Sequence, residues 1–561
     1  VNTPLSIKQS YAGRHVLLTG VTGFLGKVWL AMMLQHVPEI GRIYVLTRKK
    51  ALRPAADRFE RQVATSPCFK PLHEKYGADM SRFISERVEV VSGDVSLPDL
   101  GVEDPEVLAR LRRDLDLVVN CAGLVDFDPD LRDAMTTNVD GARNAANFVA
   151  ACDKAVLLHV STCYVAGKRN GVIPEDIRPD LAPSGEAFDV DAECAEVQVS
   201  IDAILADHES PDAERRAHDE ALKQIRDKGG DEGNAMLVRN TARRIKRNLL
   251  KDAMIAEGQR RANHWGFTNI YTYTKSMAEA VVARRLDPGR WTMFRPAIVE
   301  SAMSYPFPGW NQGFNTCGPL SYALGSWFRH LPCKKGNPFD IIPVDFVCRG
   351  MAIAGAALMR GEHAPVYQCG SSDLNLLTID RAVELVALAH RKHLRYHGDS
   401  ALDRVLKSRW DALAVPPDHV MRIENLRKLT ESVDEWLRDP PKGWPKFIRT
   451  RLTELTEHTE EALETIDKIE RMCDLYLPFI HDNHFVFVAR NLQRHPVVEP
   501  EWNCDPRSID WRHYWIDVHI PGLRKWCFPL FENKTPESYT PRHPFRLRAP
   551  EAAPAPQAEV V

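Results

Sequence analysis

Nowhere in this chain do two cysteines form a CxxC pair, although twelve are present. The absence excludes a zinc ribbon and a thioredoxin-like redox site. No basic stretch followed by an apolar one marks a secretory signal, so the thiols read as reduced cysteines of a cytosolic protein. No apolar run reaches the ~18 residues of a membrane span. The longest candidates, such as MAIAGAALM (351–359), are half that length, so the chain is expected not to cross a membrane, though it is free to rest on one. A formal net charge of −3 over 561 residues gives no global attraction to nucleic acid or anionic lipid. GxxxxGK[ST] is missing, which removes an ATP P-loop, and there is no internal repeat.

What is present is an alternation of short apolar strands with helical stretches. HVLLTG (15–20), RIYVLTR (42–48), VEVVSGD (88–94), LDLVVNCAG (115–123) and AVLLHVST (155–162) are continuous Val/Ile/Leu runs. Such runs belong to strands buried on both faces, hence to a parallel sheet in a doubly wound α/β Rossmann domain. From about 185 to 265 the sequence turns densely charged and helical, which reads as an insertion. The sheet resumes at WTMFRP (291–296), and DIIPVDFV (340–347) reads as a further strand before an apolar helix at 350–359. The expected organisation is a dinucleotide-binding reductase domain over 1–375, a mainly helical C-terminal domain over 376–540, and a disordered Pro/Ala-rich tail over 541–561.

TGVTGFLG sets Gly20, Gly23 and Gly26 between a strand and a helix, as GxxGxxG. A glycine turn at a helix N-terminus admits a pyrophosphate, and Thr22, Phe24 and Leu25 complete the candidate cradle. A tight turn without a ligand is the plain alternative. The second strand ends in Thr47-Arg48-Lys49-Lys50, where an NAD enzyme usually carries an acid. A cation there accommodates a 2′-phosphate, so NADPH is the expected cofactor and Arg48 its reader. Asp94, with Val95 after it, either reaches the adenine or caps the next turn. Asn120, Ala122 and Gly123 in NCAG end the fourth strand, where small residues leave room for a cofactor.

The run Asp126-Phe-Asp128-Pro-Asp130 imitates an EF-hand loop but lacks the glycine at position six and the glutamate at position twelve. His481 and His484 lack a metal-helix spacing with a glutamate, and no metal is expected. NIYTYTKSMAEA (269–280) carries the sharper signal. Residues four apart share a helix face and residues two apart do not, so Tyr271 pairs with Lys275 while Tyr273 points away. A nearby ammonium lowers a phenol's pKa, which suits Tyr271 to exchange a proton with a substrate oxygen. Ser161 and Thr162, at the end of the fifth strand, offer a hydroxyl to the same oxygen.

Taken together, TGVTGFLGK, NCAG, TTNVDGARN, VSTCYVAGK, YTYTKSMAE, FRPAIVES, PFPGWNQG and IIPVDFV, in that order, resemble the fatty acyl-CoA reductases of the extended short-chain dehydrogenase/reductase superfamily. SIDWRHYWIDVHIPGLRKW is similar to the helical domain that follows in that family, and the resemblance spans about 11–531. It implies Tyr271 and Lys275 as the catalytic pair, with both also touching the cofactor. Thr162, five before Gly167, is preferred to Ser161. Asn138 matches a family asparagine, although an asparagine bonding its own helix backbone is the plain alternative. Pro296, Ala297 and Ile298 join the cofactor contacts. Lacking a membrane segment, the chain resembles the soluble bacterial members associated with wax ester precursors. The implied reaction is reduction of long-chain fatty acyl-CoA, or an acyl carrier protein thioester, through the aldehyde to the alcohol. Trp310, Trp327 and Phe328 are candidate walls of the acyl tunnel, or ordinary core aromatics. Arg239, Arg243, Arg244, Lys246 and Arg247, with Lys334-Lys335, are candidate CoA-phosphate clusters, or solvated faces. Three rivals stand beside this reading: a reductase that stops at the aldehyde, a sugar-nucleotide-modifying relative, and a non-enzymatic dinucleotide sensor.

Overall fold

The computed structural model describes residues 4–49, 54–313, 317–325, 328–397, 411–416 and 476–545, Leu547, and scattered positions between 427 and 473. Seven strands form one all-parallel sheet: β1 (His15–Thr19), β2 (Arg42–Thr47), β3 (Val88–Ser92), β4 (Leu117–Asn120), β5 (Val156–Val160), β6 (Trp291–Pro296) and β7 (Val366–Cys369). Their spatial order is β3-β2-β1-β4-β5-β6-β7. The order reverses between β1 and β4, which is where an open α/β sheet leaves a crevice for a ligand. The five early strands and β6 fall where the apolar runs place them. The seventh, VYQC, was not foreseen. DIIPVDFV is strand only over Ile341–Pro343, because α7 (Val344–Met359) begins at Val344. The short strand lies parallel to Ile298–Glu300.

Crossover helices cover both faces. α1 (Phe24–His36) leaves the glycine turn, and α2 (Gly141–Ala150) follows a widened π-type turn over Met135–Asp140. The insertion supplies α3 (Val190–Glu209), α4 (Pro211–Asp227) and α5 (Ala235–His264). Its first and third helices pack against α6 (Ile270–Arg285) through Val190, Val197, Ile201, Met254 and Ala262, which meet Tyr273, Met277 and Val281. Because α6 is enclosed by the sheet and the insertion, it is buried over most of its surface, with Thr272, Thr274, Lys275 and Glu279 inside as well as its apolar residues.

Beyond α8 (Ile379–His397), most of the stretch read as helical over 451–472 lies outside the described residues. The described C-terminal residues share one hydrophobic core with the sheet, reaching from Leu5 to Phe545. Phe485–Phe487 pairs in parallel with Gly171–Ile173, so the late segment is stitched to the loop after β5. Of the tail expected to be disordered over 541–561, all but 541–545 and Leu547 lies outside the described residues; within it Phe545 is buried against Phe59 and His73. No helix among the described residues is long and apolar enough to cross a membrane.

Candidate active site

Two adjoining hollows occupy the crevice. The larger, a cavity of about 470 Å³, is lined by the glycine turn, the ends of β4, β5 and β6, the first turns of α6, and aromatic side chains. Asn269 starts α6: its side chain accepts the Thr272 N–H at 2.9 Å. Tyr271 thereby sits in the first turn, its own N–H donating to the Phe127 carbonyl at 3.3 Å. One turn on, Lys275 faces the same cavity. Tyr273 does not: its hydroxyl donates to Glu193 of the insertion, which is also paired with Arg261 at 3.0 Å.

Burial pushes the Tyr271 phenol up to about 12, while a hydrogen bond with Thr162 works the other way. Lys275 was expected to be what lowers that phenol. Instead its ammonium is drawn to the Val160 carbonyl at 2.6 Å, and burial brings it down to about 8. Thr162 Oγ1 also accepts the Tyr164 N–H at 3.3 Å. Ser161 Oγ lines the cavity, buried and without a hydrogen-bond partner. Asn138 does not bond its own helix. Its side chain clamps Leu124 from both sides, accepting the N–H at 2.8 Å and donating to the carbonyl at 3.2 Å, and it also donates to Thr274 Oγ1. It shapes the loop after β4 without lining either hollow. A Cβ on Gly123 would lie 3.3 Å from Asn138 Oδ1 and 3.5 Å from Lys275 Nζ, so a side chain there would press on Asn138.

The smaller hollow, about 210 Å³, lies at the ends of β1, β2 and β3 and is lined by Thr22, Arg48, Asp94, Val95, Ala122 and Gly123 among others. Gly20, at φ +73°, lines both hollows, and a Cβ there would lie 2.6 Å from the Cys121 carbonyl oxygen. Asp94 caps the next turn, its Oδ1 accepting from the Ser96 N–H and hydroxyl, while Oδ2 lies 3.8 Å from Arg48. Thr47 Oγ1 is buried here with no partner, and Arg58 adds a second guanidinium. A bare glycine turn, an orphaned hydroxyl and two cations fit a dinucleotide with an extra phosphate.

The remaining candidates fall as follows. Phe24, Leu25, Gly26, Pro296, Ala297 and Ile298 line the larger cavity with Gly23. Asn120 lines neither hollow, because its side chain is held between the Thr19 hydroxyl at 2.7 Å and His159 Nδ1 at 3.1 Å. Trp310 and Phe328 line neither hollow. Both are buried in the core, with Trp310 packed against Trp526 and Phe307. Trp327 lies outside the described residues. The five basic residues of α5 and Lys334-Lys335 line neither hollow. Asp130 caps a short helix and pairs with Arg132, while Asp126 and Phe127 line the larger cavity.

Several lining residues were missed. Arg58 follows Arg48 by ten positions, on the helix after β2, and could have been found as a second cation near the strand end. Tyr164 stands within VSTCYVAG, and Phe127 was hidden in the rejected calcium decoy. Tyr476 and Phe479 carry no local signal. Phe127 packs 5.3 Å from Phe479 and 6.0 Å from Tyr476, and Tyr164 lies 5.0 Å from Phe479.

A parallel sheet with this turn at its switch point is a dinucleotide-binding fold, here of the extended short-chain dehydrogenase/reductase type. The chain belongs to the NAD-binding family described as male sterility protein, which it matches over residues 18–351. It is 27% identical over 539 residues to a protein named probable fatty acyl-CoA reductase 5 from Arabidopsis thaliana, covering 92% of this chain and 98% of that one. To the alcohol-forming fatty acyl-CoA reductase of Simmondsia chinensis it is 26% identical over 535 residues, with 92% and 98% covered. The crystal structure of the terminal R domain from the myxalamid PKS-NRPS pathway shares the fold, with a TM-score of 0.51, 17% identity and 93% of each chain covered.

Proposed function

We infer that this protein reduces long-chain fatty acyl-CoA to fatty alcohol through the aldehyde, with NADPH as reductant. One observation carries the reading. A Tyr–Thr–Lys corner beside the glycine turn shares its cavity with an aromatic cluster of Phe127, Tyr164, Tyr476 and Phe479. A polar corner for a carbonyl and an apolar wall for a chain are what a fatty thioester requires.

When bound, NADPH supplies the hydride for each of two successive reductions. Arg48 and Arg58 would hold its 2′-phosphate, and Gly20, Thr22 and Gly23 its pyrophosphate. The Tyr271 hydroxyl is neutral at physiological pH, since burial holds its pKa near 12. It can therefore donate to the substrate oxygen, and Thr162 supports it from the side. Together they stabilise developing negative charge on that oxygen, a large term in such reactions. Lys275 places a cation between the strand end and the cofactor crevice. Asn138 positions the loop that borders Lys275 and acts only through that loop.

The pure protein is incubated with palmitoyl-CoA and NADPH, with NADH in parallel, and the lipid product identified by gas chromatography–mass spectrometry. Hexadecanol, at about two NADPH per thioester, is expected. Hexadecanal alone would place the enzyme among reductases that stop after one hydride. Turnover only with an acyl carrier protein thioester would reassign the donor. No oxidation of NADPH with any acyl thioester would overturn the substrate class.

A further inference from the structure

Just beyond the cavity wall, three buried side chains meet from distant parts of the chain. Glu300 ends the short strand that starts at Ile298, Cys317 opens the helix Cys317–Leu324, and His519 ends a π-type turn over Tyr514–His519. Glu300 and His519 are fully buried and Cys317 is 2% exposed. One ligand atom from each lies within 4.8 Å of the others. Glu300 Oε2 and His519 Nε2 face each other at 3.8 Å, and neither has a hydrogen-bond partner. Two polar atoms buried face to face without a bond are unusual, because each gives up its water for nothing.

The surroundings are arranged as around a metal ligand. His519 Nδ1 is held by Ser301 Oγ at 2.9 Å, and Ser301 Oγ in turn accepts from Asn311 Nδ2 at 2.8 Å. A hydrogen bond on the non-ligating nitrogen is what fixes a metal-bound imidazole. Glu300 Oε1 accepts the Cys317 N–H at 2.9 Å, which leaves Oε2 free toward the histidine. His519 is further wedged against Tyr514 and Trp515.

We propose that Glu300, Cys317 and His519 form a buried site for a divalent transition metal, zinc by preference, with a water molecule completing the tetrahedron. A thiolate, a carboxylate and a neutral imidazole bring two negative charges to a dication, so the buried assembly is neutral. A thiolate and an imidazole select against magnesium and calcium. At zinc–ligand lengths of ~2.0–2.3 Å, tetrahedral ligand atoms stand roughly 3.3–3.8 Å apart, so these three need only a small contraction. The ion takes no part in the reduction. It ties the strand leaving the cavity wall to the C-terminal segment. A spacing of more than two hundred residues between Glu300 and His519 hides such a site from any motif scan.

The full chain is produced in zinc-supplemented and, separately, cobalt-supplemented medium, and its metal content is measured after gel filtration. About one equivalent of zinc is expected, and a thiolate-to-cobalt charge-transfer band in the cobalt protein. Cys317→Ser should abolish the band and His519→Gln should lower the metal content, each in protein whose circular dichroism matches the parent. Eleven other cysteines are present, so the substitution at 317 separates this site from adventitious thiol binding. Parent protein with less than about a tenth of an equivalent from both media, or a band that survives Cys317→Ser, would overturn the site. The parent measurement decides even if both variants misfold.

Discussion

The two hollows of the crevice are built by opposite means. The smaller one is mostly local: its walls come chiefly from turns that directly follow β1 to β4, with Arg58 and Thr137 added from the helical segments beyond β2 and β4. The larger gathers Phe127, Tyr164, Tyr476 and Phe479 from segments up to about 350 residues apart. The small hollow is polar and carries two guanidiniums, whereas the large one combines a polar corner with an aromatic wall. A dinucleotide is the same in every enzyme and can be met by a short fixed turn. An acyl chain is met by bulk, which any part of the chain can supply.

Tyr271 lines the larger hollow, beside the glycine turn that the two share, and its loss should be the largest effect. Tyr271→Phe is expected to lower kcat by about 10²–10⁴-fold, the range for removing a general acid, with the NADPH dissociation constant unchanged by fluorescence titration. Near-parental turnover would remove the tyrosine from the chemistry. Tyr273→Phe offers the contrast. It breaks a bond to Glu193 inside the insertion and should show as a lower Tm, with kcat of the folded protein retained.

Next in size is the local hollow. Replacing both Arg48 and Arg58 by Ala should raise the KM for NADPH by about 10²-fold, since each charge-assisted hydrogen bond contributes about 1.5–3 kcal/mol. The KM for NADH and for acyl-CoA should hardly move. An equal loss with NADH would mean that the guanidiniums shape the turn and do not read the phosphate.

The same contrast explains what could be read in advance. Apolar runs placed β1 to β6 because strands buried on both faces leave a continuous signal. The glycine turn, Arg48 and the Tyr271/Lys275 spacing were visible because their physics is local to one turn or one helix. Asn120 misled, since a polar residue at a strand end can serve its neighbours as easily as a ligand, and here Thr19 and His159 take it. Trp310 and Phe328 stayed undecided between core and tunnel, because an aromatic has no sequence mark that separates the two, and both lie in the core. Tyr476 and Phe479 were out of reach, because only the tertiary fold brings them to Phe127.

Phe479→Ala tests the remote wall. Removing one aromatic contact should raise the KM for palmitoyl-CoA by roughly tenfold, in keeping with about 1.5 kcal/mol of lost apolar burial, and leave NADPH binding untouched. A smaller penalty for short acyl chains would sharpen the division of labour. A change in NADPH affinity in place of acyl affinity would break it.

The smallest effect concerns Lys275, which lines the larger hollow. Burial lowers its pKa from 10.5 to about 8, so its cationic form dominates below that pH and is lost above it. If the cation is what the site uses, kcat/KM should be flat near neutrality, about half its plateau at pH 8, and fall toward tenfold per unit beyond. The sign follows from the direction of the shift: a depressed lysine loses its proton earlier, so activity declines on the alkaline side. The inflection should lie at the same pH for short and long acyl chains, because the lysine touches a strand carbonyl and the cofactor crevice but not the aromatic cage. Lys275→Arg, whose cation does not titrate in this range, should remove the inflection whatever rate remains. An inflection that moves with chain length would instead assign the titrating group to the acyl side.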